Sequence, residues 1–335
     1  MNEFITLNHG SGGRQAHQLI TELYVKSFEM SLPLTDSAVL KNNGYTLAFT
    51  TDSYVVDPLF FPGGNIGKIA VCGTVNDLSV SGAVPQYLSA SFIIEEGFPL
   101  SDLKAIVTTM AEEARLAGVR IVTGDTKVVG KGKCDRLFIT TAGTGWLKPE
   151  FEHIGSGRMI CPGDKLIVNG NLGDHAIAVL GARNNLSFSS PVVSDCASLN
   201  HLIQSVLEES SKVHFMRDLT RGGLSAVLYE LAHLSGSGLL VEEAAVPVDD
   251  PVRGLCEVLG FDPFSLANEG KVLIVAAAEE YEKVLGILRA HPLGKKSALI
   301  GEISGSHKGE IILNTLTGGK RILDIPSGIQ LPRIC

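Results

Sequence analysis

Residues 65–82 constrain this chain more than any other stretch. They read Asn-Ile-Gly-Lys-Ile-Ala-Val-Cys-Gly-Thr-Val-Asn-Asp-Leu-Ser-Val-Ser-Gly, a helix made mostly of small residues. Small side chains let a neighbouring element approach the helix backbone closely, so tight packing against it is expected. Asp77 stands inside this run. A lone carboxylate in a small-residue apolar helix is costly unless a cation or a donor compensates it.

Around this helix the pattern alternates. Residues 14–28 show helical spacing through Leu19, Leu23 and Tyr24 or Val25, and 101–117 reads as another helix. Residues 45–51 read as a strand ending at Asp52, and 119–123 as a strand ending at Asp125. Strands are also expected at 87–94 and 137–144. Residues 146–163 then turn irregular, with Pro149, Gly155, Gly157, Pro162 and Gly163, which places a domain boundary there. Beyond it, strands are expected at 165–168, 271–277, 298–303 and 310–313. Helices are expected from 173 to 180 and at 194–208, 222–234 and 279–290. Several strand–strand neighbours within the alternation favour two α+β (mixed α/β) halves over one parallel doubly wound sheet. The expected units are 1–150, 160–323 and a tail, 324–335.

A chain of 335 residues accommodates two such cores, and 44% hydrophobic residues with a mean hydropathy of +0.22 describe a well-buried globule. The net charge of −8 and the absence of a basic run argue against a nucleic-acid partner. The N-terminus lacks a charged-then-apolar signal pattern, and the longest apolar run, 272–278, is too short to span a bilayer. The cysteines, Cys72, Cys134, Cys161, Cys196, Cys256 and Cys335, are scattered singly without a Cys-x-x-Cys pair. That argues against zinc and a disulfide framework, and fits a reducing cytoplasm.

The tail reads Asp-Ile-Pro-Ser-Gly-Ile-Gln-Leu-Pro-Arg-Ile-Cys. Pro326 and Pro332 disfavour helix and ladder pairing, and Gly328 adds a hinge. About ten extended residues span roughly 33 Å, enough to carry Cys335 to a partner or into the chain's own active site. Arg333 favours the thiolate of Cys335, while the terminal carboxylate opposes it.

Four aspartates sit among Gly, Thr, Ser and Asn at expected element junctions: Asp52, Asp77, Asp125 and Asp218. Small polar neighbours let a phosphate or hydrated ion approach the backbone, and converging carboxylates suit Mg2+. Each aspartate taken alone has an ordinary alternative, capping a helix or a turn. Gly10-Ser11-Gly12-Gly13-Arg14 and Gly222-Gly223 are candidate phosphate cradles, although neither is a Walker A loop and no Rossmann fingerprint follows a strand. Lys127 follows Asp125 by two in an extended stretch, so both face one side. Glu269 precedes an apolar strand. Each of these two charges is either a salt-bridged structural group or a proton acceptor. His175 reads as a helix-entry histidine.

Together these motifs resemble the ATP-dependent superfamily of aminoimidazole ribonucleotide synthetase, selenophosphate synthetase and thiamine-monophosphate kinase. Within it, the resemblance is close to the carbamoyl dehydratase (HypE) family of nickel–iron hydrogenase maturation. It spans essentially the whole chain through 10–14, 49–64, 73–83, 123–129, 218–223, 268–271 and the terminal Pro-Arg-Ile-Cys, with 32–43 less distinctive. The terminal cysteine sets this family apart from its sisters.

The resemblance implies a two-domain aminoimidazole-ribonucleotide-synthetase-like fold whose N-terminal half dimerises through its sheet. It implies an ATP site drawing on Gly10, Ser11, Gly12, Gly13, Asp52, Asn76, Asp77, Asp125, Thr126, Asp218, Arg221, Gly222 and Gly223, with Mg2+ on Asp52, Asp77, Asp125 and Asp218. Cys335 is then the carrier of the reacting group, loaded by the carbamoyltransferase HypF. The cyanide product goes to the HypC–HypD iron scaffold, and Lys127 and Glu269 are the proton acceptors. Two rivals stand beside this reading. One is a superfamily member acting on a free small molecule, and the other is a non-catalytic carrier.

Overall fold

The computed structural model describes residues 4–42, 44–184, 192–324, 331 and 333–335. Pro326 and Pro332, expected to disfavour helix and ladder pairing in the tail, and Gly328, its expected hinge, lie outside the described residues.

The expected N-terminal helix is α1 (Arg14–Leu19), which continues as a π-helical turn over Ile20–Val25. The first sheet is built from β1 (Ala38–Asn42), β2 (Tyr45–Tyr54), β5 (Val84–Glu95), β6 (Arg120–Val129) and β7 (Leu137–Trp146), in the order β1-β2-β7-β5-β6. A two-stranded hairpin, β3 (Phe60–Phe61) with β4 (Gly64–Asn65), precedes α2 (Ile66–Val80). The parallel pair β5 and β6 is joined by α3 (Leu100–Ala117). Both β2 and β6 run past the aspartates expected to end them, so Asp52 and Asp125 lie within strands.

Helix α2 lies against the inner face of this sheet, and its small residues are the reason it fits. A Cβ on Gly67 would sit 2.6 Å from the Ile106 carbonyl oxygen, and one on Gly73 would meet the Tyr54 hydroxyl at 2.4 Å. Every residue of α2 is buried except its two charged ones, Lys68 and Asp77. Alternation along β7 gives the same geometry: Leu137, Ile139 and Thr141 are buried, while Phe138, Thr140 and Ala142 are only partly covered on the other face.

The second half begins with β8 (Lys165–Val168), followed by α4 (Asp174–Arg183), α5 (Asn200–Glu209), β9 (Val213–Asp218), α6 (Gly223–Ser235), β10 (Gly238–Glu242) and α7 (Asp250–Leu259). Next come β11 (Val272–Ala276), α8 (Tyr281–Ala290), β12 (Ala298–Ser304), β13 (Ile311–Asn314) and β14 (Lys320–Leu323). The strands form a mixed sheet ordered β14-β13-β10-β12-β8-β11-β9.

The helix expected over 194–208 begins only at Asn200. Residues before it are held extended because Ser194 N–H donates to the Pro62 carbonyl at 2.9 Å. The Asp195 carboxylate in turn accepts from the backbone N–H groups of Glu269 and Gly270 at 3.2 and 3.3 Å. Among the described residues, no helix is long and apolar enough to cross a membrane.

Candidate active site

Asp218 ends β9 and Asp77 lies on α2, and the fold brings their carboxylates together with Asp36, a residue the motif reading did not select. Oxygen atoms of Asp36, Asp77 and Asp218 all lie within 4.8 Å of one another. Arg217 Nη1 holds the Asp36 carboxylate at 2.7 Å. The Thr50 hydroxyl lies 2.7 Å from Asp77 Oδ2 and 2.8 Å from the Asp36 carbonyl oxygen, and its single proton serves one of them at a time. Burial pushes all three carboxyls above the ordinary range, most strongly those of Asp77 and Asp218. Repulsion from neighbouring carboxylates adds to it at Asp77 and Asp218, and Arg217 offsets part of the rise at Asp36 and Asp218. Buried oxygen ligands that repel one another are the donor set a hard divalent cation relieves.

Asp52 stands beside this trio. Burial raises its carboxyl, with Arg221 pulling it back. Asp125 and Lys127 stand apart from it. They pair with each other at 2.8 Å on β6, opposite Ser91 and Ile93 of β5, and so share the sheet face turned away from α2. Two strands separate β6 from β2, roughly 14 Å across the sheet at the usual strand spacing. Of the four expected metal ligands, the fold brings Asp77 and Asp218 together with Asp36, leaves Asp52 beside them, and within one chain sets Asp125 apart on β6. Thr126, also on β6, donates its N–H to Asp125 Oδ1 at 2.8 Å.

The two glycine stretches meet. A Cβ on Gly12 would lie 3.1 Å from the Arg221 carbonyl oxygen, and Gly222, with φ +79, caps α6. The loop 10–13 therefore lies against Arg221 and Gly222 at a helix N-terminus, a place suited to an anion. A Cβ on Gly223 would strike the Leu266 carbonyl oxygen at 2.4 Å. Gly223 is thus needed for packing.

Asn76, expected at the nucleotide, spends its amide inside the protein. Its Nδ2 donates to the carbonyls of Ala197 and Glu269 at 3.1 and 3.2 Å, and its Oδ1 accepts from Leu199 N–H at 2.7 Å. It is a bracket for Glu269. The Glu269 side chain is buried, and its Oε1 has no hydrogen-bond partner. Burial, then the charges of Asp218 and Asp52, push its carboxyl well above the ordinary range.

The end of the tail is seated in this site. Val55 N–H donates to the terminal carboxylate of Cys335 at 3.1 Å, and Asp57 N–H to the Arg333 carbonyl at 3.2 Å, in the manner of a short added strand. Arg183 Nη2 donates to the same Arg333 carbonyl at 2.7 Å, and the Arg333 guanidinium pairs with Asp135. Ile334 is buried in the first core. The Cys335 thiol faces Arg221, Glu269, Asp52 and Asp218, and burial pushes it up to about 12 despite Arg221.

His175, read from sequence as a helix-entry residue, is part of this clasp. It is wholly buried, edge-on to Phe61, and burial keeps its ring neutral. Nε2–H donates to the Ile334 carbonyl at 2.9 Å, which leaves Nδ1 to accept from the Ser194 hydroxyl at 2.8 Å. Replacing it by Phe keeps the ring and removes both hydrogen bonds. Carboxypeptidase should then release the terminal residues of His175→Phe about fivefold faster, the effect of about 1 kcal/mol. Unchanged release would show that His175 does not hold the tail.

Two family models match the chain: AIR synthase related protein, N-terminal domain, over residues 34–147, and its C-terminal domain over 161–314. They define an AIR-synthase-related protein with the two-domain α+β fold. The likeness narrows within that class. The chain is 50% identical over 339 residues to carbamoyl dehydratase HypE of Rhodobacter capsulatus, covering 100% of this chain and 99% of that protein. It is similar to the protein in the crystal structure of a HypE–HypF complex, with a TM-score of 0.87, 46% identity and coverage of 92% and 99% of the two chains. It is likewise similar to hydrogenase maturation protein HypE in complex with ATP, with a TM-score of 0.83, 44% identity and coverage of 99% and 100%. The chain belongs to the HypE family of carbamoyl dehydratases.

Proposed function

We propose that this chain is an ATP-dependent carbamoyl dehydratase acting on its own C-terminal cysteine. The carboxamide carried on Cys335 sulfur loses the elements of water to become a thiocyanate, the source of cyanide for nickel–iron hydrogenase maturation. The clasp that holds residues 333–335, with the Cys335 thiol among the charges of Arg221, Glu269 and Asp52, carries this reading. Family membership and the likeness to a HypE bound to ATP support it.

An amide oxygen is a poor leaving group. ATP, when bound, would supply the phosphoryl group that turns it into phosphate, and Asp36, Asp77 and Asp218 would hold a Mg2+ ion whose charge offsets that of the phosphates. The chain's residues do the rest. Arg221 and the loop 10–13 face the anion, while the clasp around residues 333–335 fixes the reacting carbon in place. Two protons must leave nitrogen as the C≡N bond forms. Glu269 has an unpartnered buried oxygen beside the thiol and is the first acceptor. Loading takes place with the tail outside, because the thiol seated here is held neutral and a thiolate is the nucleophile. HypF is the partner that loads it, the HypC–HypD scaffold the one that takes the cyanide, and the cytoplasm the compartment, in keeping with cysteines that are all free.

A homodimer through the first sheet completes the site. The face turned away from α2 exposes Tyr45, Phe49, Tyr87, Ile93 and Trp146, and β6 is an uncovered ten-residue edge. Lys127 and Asp125 lie on that face, so they serve the site of the other subunit. Co-expressed Lys127→Ala and Glu269→Ala chains should then recover activity. Half of randomly mixed dimers are mixed, each with one intact site, giving about one quarter of wild-type turnover. No recovery would put both residues to work within one chain, and full activity of Lys127→Ala alone would remove Lys127 from the reaction.

The deciding experiment is intact mass of the C-terminal peptide after incubation with HypF, carbamoyl phosphate, Mg2+ and ATP, with and without ATP in the dehydration step. Carbamoylation of Cys335 followed by ATP-dependent loss of one water is expected. An unmodified Cys335 with active HypF would favour a soluble small-molecule acceptor.

A further inference from the structure

We propose that Cys161, Asp164 and His214 form a binding site for a zinc-class divalent cation, separate from the aspartate cluster. The sequence holds no paired-cysteine motif, and only the fold brings these residues together. Residues 161–164, Cys-Pro-Gly-Asp, make a tight turn in which Pro162 fixes one φ and Gly163 adopts φ +100. Asp164 N–H closes it on the Cys161 carbonyl at 3.2 Å. The turn brings Cys161 Sγ to 3.3 Å from Asp164 Oδ1. His214, near the start of β9, places Nδ1 2.7 Å from Asp164 Oδ2. All three ligand atoms lie within 4.8 Å of one another.

The chemistry favours a borderline cation. Thiolate, imidazole and carboxylate together suit zinc, whereas magnesium wants oxygen alone. Tetrahedral zinc holds such ligand atoms about 3.3–3.6 Å apart; Cys161 Sγ and Asp164 Oδ1 already stand 3.3 Å apart, while the 2.7 Å between His214 Nδ1 and Asp164 Oδ2 would have to open. In the metal-free chain, a thiol proton and an imidazole proton both point at one carboxylate, where a cation would replace them. Asp164 and His214 are buried and Cys161 is exposed, which leaves a route from solvent. Asp164 is braced from behind by Cys161 N–H at 2.9 Å. Glu279, just past β11 and 3.9 Å from Lys212, adds its negative charge to that of Asp164 at the Cys161 thiol and offers a fourth ligand in place of water.

The position gives the ion a consequence. His214 and Asp218 lie on β9 four residues apart, roughly 13 Å. A cation there ties the 161–164 turn to the strand that delivers Asp218 to the active site, without touching that site.

The test uses the full-length chain, stripped with a chelator and returned to Mg2+, then titrated with Co2+. A thiolate-to-cobalt charge-transfer band and intense tetrahedral visible bands should saturate at one ion per chain and be displaced by Zn2+. Zn2+ should also raise Tm. Cys161→Ser, at an exposed position, should lose the charge-transfer band and the Tm response, and His214→Gln should weaken binding at least tenfold. A wild-type chain with no such band, or a band that persists in Cys161→Ser, would overturn the site and leave Asp164 and His214 as an ordinary buried pair.

Discussion

Replacing Cys335 by alanine is expected to abolish product formation while leaving Tm and ATP affinity at their wild-type values. The thiol is the atom on which the carboxamide is carried, so its loss removes the substrate itself rather than a few kcal/mol of transition-state stabilisation. The fold does not depend on it. Ile334 supplies the buried apolar contact of the tail, and the clasp is made by backbone and terminal carboxylate groups that alanine retains. The nucleotide groups, Arg221 and the loop 10–13, belong to other segments. The readouts are C-terminal peptide mass for product, calorimetry for ATP binding and a melting curve for the fold. Equal loss of ATP binding would make the tail part of the nucleotide site. Full activity on a soluble acceptor after deletion of the tail cysteine would replace the dehydratase reading with the small-molecule one.

What the sequence disclosed follows its local physics. The small-residue helix over 65–82 was legible because glycines at 67 and 73 are demanded by atoms 2.6 and 2.4 Å from their missing Cβ positions. Asp77 stood out because its surroundings are apolar. β9 and α7 were not legible. β9 is buried on both faces and so shows no alternation, and Pro251 in the first turn of α7 reads as a breaker when it is an N-terminal residue. Asp36 was missed although Thr35-Asp36-Ser37 repeats the Thr51-Asp52-Ser53 motif that drew attention to Asp52. That repeat was the available signal. Asn76 and His175 were visible as residues, but their roles depend on partners more than a hundred positions away. Asp125 and Lys127 do face one side, as their spacing indicated. Which side it was could be known only from the pairing of β6 with β5.

Asp77→Asn is expected to cost at least about a hundredfold in ATP-dependent turnover, on the scale of losing one essential electrostatic group, and yet to stabilise the cation-free chain. The opposite signs have one cause. Asp36, Asp77 and Asp218 lie within reach of each other, half-buried in the first two cases and buried in the third; burial raises all three carboxyls in the folded state, and repulsion raises those of Asp77 and Asp218 further. Between the ordinary carboxyl range near about 4 and those raised values, the native chain holds more protons than the unfolded one. Stability therefore falls as pH rises through that window, and the favourable protonated state is complete only below it. Asparagine accepts the Thr50 hydroxyl as Asp77 does but carries no charge. In chelator at neutral pH the variant should melt about 1.5–3 °C above wild type, which is what about 1–2 kcal/mol gives a chain of this size. Its stability should also fall less steeply between pH 5 and neutrality, a window set by about one unit above the ordinary carboxyl value. Added Mg2+ should reverse the order, raising the wild-type Tm and leaving the variant nearly unmoved, since two carboxylates hold the ion less well than three. A variant that melts lower in chelator with an unchanged pH slope would mean that Asp77 is satisfied by its neighbours, and would remove the charge repulsion on which the cation site rests. A higher Tm with full turnover would keep the repulsion and take Asp77 out of the reaction. The predicted combination, a more stable chain that no longer turns over, is what a site held together for its ligand and against its own fold should give.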